Sequence, residues 1–113
     1  MQSKELEDIF FKNKTKGELI DITVTSIRGL LADIFEGKDI NQLRNEFPPH
    51  TQINNIELQL NAISVHINHK DVQSPSIEFS VAILHKGLEQ EIGLFSCLFD
   101  MNCELLNEIF NLY

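Results

Sequence analysis

The spacing of apolar residues changes at Pro48-Pro49. Before it the repeat is that of a helix; after it, apolar and polar positions alternate. Ser3 can cap a short helix over roughly 4–12, with Leu6, Ile9 and Phe10 on one side. Thr15-Lys16-Gly17-Glu18 then reads as a capping box, the hydroxyl taking a first-turn N–H and the glutamate reaching back. In the helix that follows, Ile20, Val24, Ile27, Leu31 and Ile34 form one apolar stripe, widened by Leu19, Leu30 and Phe35. Gly37 stands where a left-handed residue would close that helix. Gly29, inside it, costs about 1 kcal/mol against alanine unless something packs closely there. Asp39-Ile40-Asn41-Gln42 offers another cap, for a helix over roughly 40–46 that must stop before Pro48-Pro49.

Beyond the prolines the chain reads as strands. Ile56, Leu58 and Leu60 alternate with polar residues, and so do Ile63, Val65 and Ile67, but the phase slips by one at Asn61-Ala62. A continuous strand would turn its apolar set to the other face there, so a β-bulge is expected in preference to a turn. Ser76 to His85 and Ile92 to Phe99 predict two further strands, joined by a glycine-containing turn at 86–90. Glu104 to Tyr113 fits a helix and a short strand about equally, and both stay open. The expected fold class is α+β: one domain over 1–113, with N-terminal helices (about 1–48) packed on one face of a C-terminal antiparallel β-meander (about 52–113).

Composition places this among ordinary globular domains, with 42% hydrophobic and 23% charged residues. The opening MQSKELEDIFFKNK has no apolar run of signal-peptide length, and no stretch approaches the ~18 apolar residues of a membrane span. A cytoplasmic protein with two free thiols, Cys97 and Cys103, is the expectation.

Charge sharpens the picture. The net charge is −8, but residues 1–48 hold nine acids and seven bases, whereas residues 49–113 hold eight acids against Lys70 and Lys86 alone. So few bases argue against nucleic acid and against anionic membranes as partners. An acidic strand-rich half suits a basic protein partner, whose approach complementary charge would steer. The carboxylates expected to meet it are Glu57, Asp71, Glu78, Glu89 and Glu91, with Phe11, Phe47 and Tyr113 as apolar anchors.

Motifs for catalysis or cofactors are not evident, and no cofactor is expected. His66 and His69, three apart on a strand, would face opposite ways, and His50 and His85 read as solvated. Asp100 to Glu104 echoes a calcium loop but has Leu105 where the glycine belongs, so a reverse turn held by its own Asp and Asn explains it better. Glu89 and Glu91, two apart on a strand, could form a carboxylate pair, and a solvated strand edge accounts for them equally.

The stretch Glu91 to Phe110, EIGLFSCLFDMNCELLNEIF, resembles the closing segment of small bacterial immunity proteins of contact-dependent growth inhibition and related polymorphic toxin systems. The matching positions are Leu98-Phe99-Asp100, the turn Met101-Asn102-Cys103, and Asn107-Glu108-Ile109-Phe110, with Cys103 where the family often has glycine. The resemblance implies a non-enzymatic protein that binds one cognate toxin domain, often a nuclease, and blocks its active site or substrate path. Two other classes remain beside it: an oligomeric interaction or adaptor module, such as a homodimer buried through the sheet, and a small hydrolase or ligand-binding domain with a pocket between helix and sheet.

Overall fold

Thr15 closes the capping box the sequence predicts. Its Oγ1 accepts the Glu18 N–H at 3.1 Å, and the Glu18 carboxylate accepts the Thr15 N–H in return. From there helix α1 runs Lys16–Phe35. In the computed structural model, residues 13–67 and 75–113 are described; the helix expected over 4–12, with Phe11, lies outside them, as do His69 and Asp71.

The buried side of α1 is Leu19, Thr23, Ile27, Leu31 and Ile34. It therefore begins one residue earlier than the expected Ile20-Val24 spacing. Thr23 can be buried because its hydroxyl donates to the Leu19 carbonyl at 2.9 Å, which satisfies its polar atom within the helix. The helix ends without a left-handed residue: Glu36 has φ −124°, and no glycine among the described residues has positive φ. Asp39 acts as the second cap, its two carboxylate oxygens accepting the N–H groups of Leu43 and Arg44 at 2.9 and 2.8 Å. What it starts is a single 3-10 turn, Leu43–Glu46, and not the longer helix expected.

Four strands follow in order: β1 Ile56–His66, β2 Ser76–His85, β3 Gln90–Phe99 and β4 Leu105–Leu112. They pair antiparallel as a meander, β1-β2-β3-β4. The protein is α+β, with one long helix among the described residues. The register slips between Leu60 and Ala62 of β1, so Asn61 is the extra residue of a bulge and the apolar side is restored beyond it. Residues 105–112 are a strand: pairing to β3 settles a segment whose spacing alone fits either state.

Ile77, Phe79 and Ile83 of β2, Phe95, Cys97 and Phe99 of β3, and Leu19, Ile27, Leu31 and Ile34 of α1 belong to one buried core cluster. Phe47 belongs to it too, at 5% exposure, with its ring against Phe35. Its place as an apolar anchor for a partner is corrected accordingly. Neither cysteine is in a disulfide, and both are buried. No helix among the described residues is long and apolar enough to cross a membrane.

Candidate functional site

Strand register fixes where the carboxylates lie. On the side of the sheet away from Phe79 and Phe95, residues line up in rows across the strands. One row is Ser64, Glu78, Leu98 and Asn107; the next is Ala62, Ser80, Ser96 and Ile109. Then come Gln59, Ala82, Leu94 and Asn111, and at the far end Glu57, Leu84 and Glu91. Glu57 and Glu91 therefore flank Leu84 across three strands. Glu78 sits at the opposite end, three rows away, on the order of 20 Å at strand spacing. The expected group does not form one patch.

Glu78 is also engaged within the protein. Its Oε1 lies 2.8 Å from His66 Nε2, the one ion pair among the described residues, and its other oxygen is 3.5 Å from the Ser80 hydroxyl. Hydrogen bonding from Ser96 holds the carboxyl below its ordinary range, with His66 and Ser80 adding to this and partial burial opposing it. Ser80 and Ser96 meet at 3.0 Å in the centre of this side.

Glu89 and Glu91 do not form a pair on one strand, which corrects that expectation. Glu89 is the last residue of the β2–β3 turn and adopts a left-handed conformation, φ 52°, while Glu91 belongs to β3. The turn is stapled from below: buried His85 accepts the Leu88 N–H through Nδ1 at 3.1 Å, and Lys86 N–H donates to the Asn55 carbonyl at 2.8 Å. His85 is thus a structural acceptor, not the solvated histidine the sequence suggested. Glu91 accepts a hydrogen bond from the Tyr113 hydroxyl, and this contact pushes the phenol's pKa up. Glu57, Glu89 and Glu91 are all exposed, and among the described residues no base pairs with them.

Sequence reasoning did not anticipate a second feature. Arg28 of α1 and Lys86 of the β2–β3 turn, far apart in the chain, converge on an open groove of about 510 Å³. Leu31, Ile53, Ile56, Glu57 and Leu58 also line it. Among the described residues neither cation has an ion-pair partner. Only the three-dimensional path of the helix past β1 brings them together, so no local signal could have found them.

Among the described residues no three His, Cys, Asp or Glu side chains group as a metal site would require. Asp100 uses its carboxylate to hold its own turn, accepting N–H groups from Asn102 and Glu104 at 2.8 and 3.0 Å. Burial pushes the Cys97 thiol up, and Glu108 adds to this, against Thr23 and Ser26. A raised thiol is a poor nucleophile.

Comparison with protein-family models, with curated proteins and with solved structures returned no significant match.

Proposed function

We propose that this chain is a non-enzymatic, cytoplasmic immunity protein that binds and neutralises a basic, nuclease-type toxin domain, obstructing its active site or substrate path. One observation supports this above the others: Glu57, Glu89 and Glu91 are exposed, gather at one end of the sheet, and have no base paired with them among the described residues. A nuclease surface is basic because it grips phosphates, and an unneutralised acidic face steers such a surface into contact. In this arrangement α1 lies across the core side of the sheet, and the row through Leu84 faces the partner. Glu78, already satisfied by His66, Ser80 and Ser96, contributes less.

An immunity function requires a gene beside this one for an exported protein with a basic C-terminal domain; the test purifies that domain and titrates it against this chain. Wild type binds and suppresses its activity. The double variant Glu89→Lys, Glu91→Lys loses at least about tenfold in affinity, mainly through a slower association rate that depends less on salt than that of the wild type. Unchanged affinity in the double variant would sink the proposal.

Self-association is a second reading, favoured by the exposed apolar residues Leu106 and Ile109 on edge strand β4. Sedimentation separates the two: a monomer across micromolar concentrations removes it.

A further inference from the structure

We infer that the free edge of β4 is a second docking surface, built to accept an extended basic segment of the partner as a fifth strand. The inference rests on the partner-binding function above, but it concerns a different surface from the Glu57–Glu91 row.

Backbone geometry shows what that edge offers. Leu112 lies opposite Gly93, and the Tyr113 N–H donates to the Ile92 carbonyl at 3.0 Å. In an antiparallel ladder this makes Leu112–Gly93 a non-hydrogen-bonded pair. The N–H and C=O groups of Ile109 and Asn111 then face β3, and those of Glu108, Phe110 and Leu112 face outward. The Asn107 side chain agrees, since its Oδ1 takes the outward Glu108 N–H at 2.9 Å. Nothing among the described residues bonds those of Phe110 and Leu112. Among the described residues, β3 is the one element with which β4 packs extensively.

An open eight-residue edge is ordinarily blunted by lysine, proline, a shortened strand or a central bulge. β4 has no lysine and no proline, and its one register shift lies at its start, between Leu98 and Phe99 on the partner strand. Its apolar side chains are exposed: Leu105 45%, Leu106 55% and Ile109 48%. An added strand would cover them while its main chain satisfied the outward groups, the usual physics of strand addition.

Charge selects the occupant. Residues 87–113 hold five acids, Glu89, Glu91, Asp100, Glu104 and Glu108, and no Lys, Arg or His. A second copy of this chain would bring the same negative charge to the same edge and fits worst. An extended segment alternating basic and apolar residues fits best, its apolar side chains on the Ile109 side of the edge and its cations on the Glu108 side.

The probe is a blocked synthetic peptide alternating lysine and valine, with its glutamate-for-lysine counterpart as control. Amide hydrogen exchange on the full chain is the readout. The expected result is binding of the lysine peptide alone, with new protection at Phe110 and Leu112. The double variant Glu104→Lys, Glu108→Lys should weaken it about tenfold. Glu108→Pro, which blocks an outward position without removing a ladder bond, should abolish the protection. If that variant does not fold, the charge variant decides alone. Lysine-peptide binding without protection at Phe110 and Leu112 is charge adhesion only and overturns the inference, as does no binding, or protection that arises from self-association in the absence of peptide. If the toxin domain binds while these amides stay unprotected, the edge inference fails and the immunity function stands.

Discussion

Glu78 shows how one side chain can be legible in type and misread in role. Its sequence context, an acid on a strand in the acidic half, matches that of Glu57. The structure separates them by what they touch: His66, Ser80 and Ser96 for Glu78, and no base among the described residues for Glu57. Because these partners favour the ionised carboxyl, its pKa is lower in the folded chain than in the unfolded one. Folding then binds fewer protons here, so the contribution is present above the unfolded pKa and is lost as pH falls through the folded value. Glu78→Gln should therefore lower stability at neutral pH by less than about 1 kcal/mol, since the group is partly solvated. The gap between variant and wild type should close below the ordinary glutamate range. Urea denaturation across pH 3–7 measures both, and a gap that widens on acidification would contradict the assignment.

At the scale of elements, local signals held where the stabilising partners are near in sequence and failed where they come from afar. The Thr15–Glu18 capping box closes within one turn and forms as predicted. The slip at Asn61 was readable because only a bulge keeps Ile56, Leu58, Ile63 and Val65 on one side. Residues 105–112 could not be assigned by spacing, since Leu105, Ile109 and Leu112 fit a helical repeat, and what makes them a strand is the β3 ladder. The site suffered the same way: alternation puts Glu57 and Glu78 opposite the core residues of their strands but would put Glu91 in phase with Phe95 and Cys97, and only the register, with its slip at Ile92, places Glu91 in the row of Glu57 and leaves Glu78 outside it. Two glycines make the contrast measurable. A Cβ at Gly29 meets nothing within 4 Å, so Gly29→Ala should stabilise α1 by about 0.5–1 kcal/mol. A Cβ at Gly93 would sit 2.7 Å from the Asn111 carbonyl oxygen and from Leu112 Cδ2. Since one of these is backbone, β4 must move, and Gly93→Ala should destabilise by about 1–3 kcal/mol. Thermal melts of the two variants should shift in opposite directions.

For the whole molecule, the governing quantity is charge that folding leaves unneutralised. The net charge is −8, and among the described residues one ion pair, His66–Glu78, offsets it. Folding draws the remaining carboxylates closer than they are in the open chain, so their mutual repulsion weakens the compact state. Salt screens that repulsion, with a Debye length near ~8 Å at physiological ionic strength. Stability should therefore rise with sodium chloride, by about 2–4 °C in melting temperature between low and physiological salt, the size that roughly half a kcal/mol produces in a domain of this length. Glu104→Lys, at an exposed position in the base-free stretch 87–113, should flatten that dependence, because it removes one repelling charge and supplies an attracting one. A partner with a basic surface should do what salt does and more, raising the melting temperature further at low salt than at high, since its charge replaces the counterions. A melting temperature indifferent to salt in the wild type would mean that the acidic face carries no stored repulsion, and with it would go the physical reason for a basic partner.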